Sequence, residues 1–188
     1  MKLFNGLPIY LVNFDENTLW NNVSIVDCPA IERNFIQMAE QTDIKFAINE
    51  EKRDVLGPVL IPNQPIYRRL GEREFYIEFN EQTIRDLAIK FFGDSKQTEG
   101  NVQHQYEVDG VVFYQSFLLD KEKGIVPDAF KDLPDGTWFI GAHIENDEVW
   151  QLVKEGKLRG FSVDMQAAII PEKDTIDTLE ELFEELSK

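Results

Sequence analysis

Cysteine is almost absent from this chain: Cys28 stands alone among 188 residues. One thiol cannot form an intrachain disulfide, which fits a reducing compartment. Set beside Val23, Ile25 and Val26, it reads as a buried structural thiol rather than a nucleophile. Histidine is equally scarce, at His104 and His143 only, so the usual Cys and His sets that hold zinc cannot be assembled. No D-x-D-x-D-G calcium loop occurs, and neither G-x-x-x-x-G-K-S/T nor G-x-G-x-x-G cradles a phosphate. No metal and no cofactor are therefore expected. Long apolar runs are missing too: none approaches the ~18 residues that span a bilayer. The opening MKLFNGLPIYLVNFDEN has too short an apolar stretch, and too acidic a flank, for a signal peptide. Basic residues are the minority, with 19 Lys and Arg against 35 Asp and Glu and a formal net charge of -16. Such a surface repels phosphate backbones and anionic lipid, so neither nucleic acid nor membrane is an expected partner.

What is present suffices for a core. Hydrophobic residues make up 43% of the chain and include 14 Phe, which argues for one folded domain of ordinary size. No repeat or Ser/Gly linker divides it. Leu3 to Phe14 and Val23 to Val26 read as strands, and Pro29 suits the first turn of a short helix carrying Ile31, Phe35, Ile36 and Met38. Lys45 to Ile48 and Val55 to Ile61 are further strands. Glu74 to Phe79 alternates, which predicts a half-buried strand with Phe75, Ile77 and Phe79 inward and Glu74, Tyr76 and Glu78 outward. Asn80 caps a helix holding Ile84, Leu87, Ala88 and Phe91 and ended by Gly93.

Val108 to Leu119 is a long β-rich run behind an Asp109-Gly110 turn, and Thr137 to Ile144 is another strand. Asn146 caps a short helix with Val149, Trp150 and Val153, stopped by Gly156. Gly160 to Ile170 forms a last strand. Residues 173–188 then read as a strongly acidic amphipathic helix, which either folds back on the domain or docks on a partner. Strands outnumber helices. The pattern predicts an α+β, mainly β domain over residues 1–172, a compact barrel or sandwich with a few short helices.

Nucleophilic hydrolysis leaves a small search. There are five serines, at 24, 95, 116, 162 and 187, and two histidines. A hydroxyl needs a base to take its proton, and imidazole suits that near neutral pH. Ser187 falls in the terminal helix and Ser95 in a polar loop. Ser162 differs: a glycine turn in Arg159-Gly160-Phe161-Ser162-Val163-Asp164 leads straight into a strand, which holds a side chain firmly. Alternation puts Ser162 and Asp164 on one face, although such a face is often simply solvated. His104 lies in the polar stretch Asn101-Val102-Gln103-His104-Gln105, where an exposed loop histidine is the plain reading. His143 shares a strand face with Phe139 and Gly141 and reads as a packed, hydrogen-bonded residue.

Four stretches carry a family likeness. Val23-Ser24-Ile25-Val26-Asp27-Cys28-Pro29-Ala30-Ile31 is similar to an "SLVD-x-PAI" opening. Val55 to Pro62 followed by Ile66-Tyr67-Arg68 is similar to "GP-x-L-I-P … IYR". Gly136-Thr137-Trp138 with Asp147-Glu148-Val149-Trp150 and Val153-Lys154 is similar to "GTW … DEVW-x-x-VK". Gly156 to Ser162 is similar to "G-x-x-x-GFS". Together, over about residues 20 to 168, the chain resembles the XkdF-like serine proteases of tailed bacteriophages, the head maturation (prohead) proteases. It departs from them at Gln115-Ser116, where relatives often read "ES", and at Val163-Asp164-Met165, where they tend to read "IEG".

The resemblance implies a β-barrel with surrounding helices like that of the herpesvirus assemblin proteases. It implies a serine nucleophile at Ser162 and a histidine base at His104, with Asp164 or His143 as in-chain candidates for a third member. It further implies an endopeptidase that trims major capsid and scaffold proteins inside an assembling procapsid in the host cytoplasm, with self-association as a homo-oligomer open. Two alternatives stay open: an inactive capsid- or scaffold-associated protein with the same fold, and an unrelated acidic binding module using residues 174–188.

Overall fold

The computed structural model describes residues 2–14, 19–30, 47–49, 52–166 and 168–171. The helix expected after Pro29 and the acidic helix at 173–188 lie outside the described residues, so the division at residue 172 does as well. Among those described, the fold is α+β and mainly β, with its strands arranged in three sheets.

In the first sheet β1 (Leu3–Phe4), β2 (Leu7–Asn13), β7 (Arg73–Glu78) and β6 (Ile66–Leu70) follow in that order, and β13 (Ala168–Pro171) pairs with β2. The second runs β10 (Val111–Leu118), β11 (Trp138–Ile144), β5 (Asp54–Leu60), β4 (Ala47–Asn49). The third runs β12 (Gly160–Gln166), β3 (Leu19–Val26), β8 (Asn101–Val102), β9 (Tyr106–Glu107). These pairings leave open sheets and do not close into one ring among the described residues. The single strand expected from Gly160 to Ile170 is two: β12 serves the third sheet and β13 the first.

One core joins the layers. Val12, Val23, Ile25, Val55, Ile77, Trp138, Ile140 and Phe161 meet there, with Ile84, Leu87 and Phe91 from α1 (Glu81–Gly93) and Val149, Trp150 and Val153 from α2 (Asp147–Lys154). Both helices start where the sequence placed their caps. Asn80 Oδ1 accepts from Thr83 N–H at 2.8 Å, and Asn146 Oδ1 accepts from Glu148 and Val149 N–H at 3.0 Å each. Helix α1 ends at Gly93, but the left-handed residue that turns the chain away is Ser95, at φ +57°.

One expectation needs correcting. β7 is buried on both faces, with Tyr76 at 2% and Glu78 at 7% exposure. It lies between β2 and β6, the rings of Phe4 and Tyr67 pack edge-on against Tyr76, and the Lys2 ammonium meets Glu78 at 2.8 Å. A period of two tells the faces of a strand apart; here the neighbouring segments cover both.

The third sheet also shows why Gly160 is glycine. A Cβ there would stand 2.4 Å from Pro29 Cγ and 2.9 Å from Pro29 Cβ. The backbone runs that close because β12 begins by pairing with the end of β3, and Arg159 N–H donates to Val26 O at 2.8 Å. A proline ring cannot swing aside, so Gly160→Ala is expected to lower unfolding free energy by roughly 1–3 kcal/mol in urea titration. A loss under about 0.5 kcal/mol would mean that the contact yields freely.

Candidate active site

The third sheet sets three polar side chains in a row. β3 is central, with β12 antiparallel on one edge and β8 parallel on the other. Its Ser24 is the register partner of Ser162 in β12 and of Asn101 in β8. Residues opposed across neighbouring strands project to the same face, so Ser162, Ser24 and Asn101 share one. The neighbours Val23, Ile25, Val102 and Phe161 belong to the core. All three polar residues are closely packed, at 9%, 0% and 5% exposure respectively.

His104 reaches this row from a strained turn. Gln103 and His104 link β8 to β9 at φ +58° and +55°, and Gln105 N–H closes the turn on Val102 O at 3.2 Å. Tight hairpins with both central residues left-handed normally use Asn-Gly or Asp-Gly. Two side-chain-bearing residues there cost on the order of 1–2 kcal/mol each. Gln103 helps to hold the turn: its N–H donates to Ile25 O at 3.1 Å, and its Oε1 accepts from Asp27 N–H at 3.4 Å. The result is an exposed imidazole folded back over β3, with Nδ1 2.9 Å from Ser24 Oγ. Ser24 Oγ also lies 2.8 Å from Asn101 Oδ1 and 3.1 Å from Asn22 Oδ1.

His104 and Ser162 thus belong to one sheet, and Ser24 is both the cross-strand neighbour of Ser162 and the contact of His104 Nδ1. Asp164 is also on β12, opposite Asn22 in the register; its side chain lies outside the described residues. Arg159 Nε donates to Asp27 O at 3.0 Å. His143 belongs to a different group in the second sheet. Its Nδ1 is 2.9 Å from Asp54 Oδ1, its register partner in β5. The Tyr114 hydroxyl joins the same carboxylate, and burial together with Asp54 raises the phenol above its usual pKa. Gln115 follows an irregularity in β10 and covers Gly141, while Ser116 Oγ accepts from Trp138 Nε1–H at 2.8 Å.

Sequence reasoning passed over Ser24 and Asn101. The available signal was one hydroxyl inside the apolar run Val23-Ser24-Ile25-Val26; the partner from β8 depends on a parallel pairing that periodicity does not encode. Beside the row opens a polar groove of about 610 Å³ that reaches Asn22 and Gly100 and carries Glu99, Glu107 and Asp109. Gly100 is tightly fixed, since a Cβ there would stand 2.7 Å from Val108 O. Among the described residues, no group of three or more His, Cys, Asp or Glu is placed to hold a metal ion.

A buried-edge serine and an imidazole presented on one sheet of a mainly β domain are the components that serine hydrolases use. The chain belongs to the family described as "Putative phage serine protease XkdF", which it matches over residues 41–171. That span holds His104, Ser162 and Asp164 and three of the four resembling stretches; the first, from Val23 to Ile31, precedes it. No curated protein and no solved structure matches the chain.

Proposed function

We propose that the chain is a head maturation serine endopeptidase that cleaves major capsid and scaffold proteins during procapsid assembly. Family membership supports the phage protease class. The observation that carries the site is the register pairing of Ser162 with the serine that touches His104. Adjacent strands lie ~4.8 Å apart, so Ser162 is one strand's width from the serine that His104 Nδ1 touches.

In this reading Ser162 Oγ attacks the scissile carbonyl while His104 takes its proton, then returns it to the leaving amine. Backbone N–H groups near β12 would hold the oxyanion. Asp164, two residues along the same strand, would supply negative charge for the imidazolium. The core shared by all three sheets would make the domain barrel-like, as in the herpesvirus assemblin proteases. The net charge of -16 suits work among basic scaffold segments within the procapsid of an infected host cell.

The test is co-expression with the capsid and scaffold proteins of the same phage, followed by intact-mass analysis of both. Defined truncations are expected with the wild-type chain. Full-length capsid and scaffold proteins throughout would contradict the reading and favour an assembly protein that kept the fold without the activity.

A further inference from the structure

We propose that Ser24 is the positioning residue of His104: its buried hydroxyl accepts the Nδ1–H and so keeps the lone pair on Nε2, as the base for Ser162. The inference rests on the protease reading and adds a residue to it from outside the matched span of 41–171.

Proton accounting leads there. Ser24 Oγ has one proton and, among the described residues, three polar neighbours: Asn101 Oδ1 at 2.8 Å, His104 Nδ1 at 2.9 Å and Asn22 Oδ1 at 3.1 Å. Two of the three are amide oxygens, which only accept. A hydroxyl oxygen turned on them without its proton would meet lone pairs with lone pairs. The single proton goes to one asparagine oxygen, the nearer being that of Asn101, and leaves Oγ as the acceptor for Nδ1–H; an unprotonated Nδ1 would draw that proton away and leave both amide oxygens against lone pairs. A neutral imidazole carries a single N–H, so protonated Nδ1 means unprotonated Nε2.

Burial assigns the roles of the two serines. Ser24 is 0% exposed, between two strands in the middle of its sheet. A peptide carbonyl cannot approach it. Ser162, at 9% exposure, is on the strand beside it. As the Ser162 Oγ–carbon bond forms, its proton passes to Nε2. The imidazolium keeps Nδ1–H on Ser24, and when the C–N bond breaks, the Nε2 proton leaves with the amine. Asn101, itself 5% exposed, fixes the Ser24 hydroxyl throughout.

The test starts from ¹⁵N spectra of the imidazoles in the full chain above their titration. With only two histidines, His143→Gln assigns both. His104 is expected to show protonated Nδ1 and bare Nε2. Ser24→Ala should move the ring toward the Nε2–H form and slow labelling of Ser162 by a fluorophosphonate roughly 10- to 100-fold, less than loss of the base itself. Removing an acceptor from the imidazolium should also carry the acidic limb of that rate to lower pH. Ser24→Thr, which keeps the hydroxyl, should restore all three readouts.

An Nε2–H ring in the wild-type chain overturns the role of Ser24, and this holds even if Ser24→Ala fails to fold. A folded Ser24→Ala with wild-type rate and pH profile overturns it as well, as does an adduct on Ser24 itself. An Nδ1–H spectrum with an unreactive Ser162 instead contradicts the protease reading while supporting the tautomer assignment.

Discussion

With Ser162 replaced by alanine, the proposed cleavage of capsid and scaffold proteins is expected to fall by on the order of 10⁴-fold or more. The loss should be of that size because covalent attack needs an oxygen at that one place. Ser24, the nearest other hydroxyl in the register, is fully buried and tied to asparagine oxygens, so it cannot substitute. Removing Oγ takes away few contacts, and unfolding free energy should stay within about 1 kcal/mol of wild type. Intact-mass analysis of co-expressed proteins, with urea titration of the variant, reads both quantities. Wild-type cleavage by Ser162→Ala would remove the nucleophile from the account.

The second large effect separates chemistry from strain at one position. His104→Ala and His104→Gly should each lower cleavage by about 10²–10⁴-fold, because each removes the proposed base. Their stabilities should differ. At φ +55° alanine keeps the clash of Cβ with the backbone, and glycine relieves it, so the glycine variant should be more stable by about 1 kcal/mol. Equal stability would mean that the turn relaxes when the imidazole is gone. Strain of this kind persists where the surroundings hold it, and here the Gln103 bonds to Ile25 and Asp27 do so.

Local signals in the sequence carried far. Both helix caps, the two helices and the strands around Val23, Val55, Glu74, Val111 and Trp138 are where periodicity and turn chemistry put them. What escaped depends on distant pairing. Tyr76 and Glu78 lie inside because Phe4, Tyr67 and Lys2 cover their face of the strand. The run from Gly160 divides between two sheets because its ends find different partners, β3 and β2.

The candidate site follows the same division. Ser162 stands out in the sequence as a hydroxyl on a strand behind a glycine turn, His104 reads plainly as an exposed loop histidine, and the resemblance singles out both. Ser24 was not, because its neighbours come from 77 and 80 residues away in sequence. His143 reads from the sequence as a packed, hydrogen-bonded residue, and its partner is Asp54, 89 residues away.

The most direct measurement of the central claim is the site of covalent labelling. The full chain is treated with a fluorophosphonate, digested, and the modified peptide sequenced by mass spectrometry. A single adduct on Ser162, lost in His104→Gly, is the expected result. No adduct, or one on a different serine, would contradict the account.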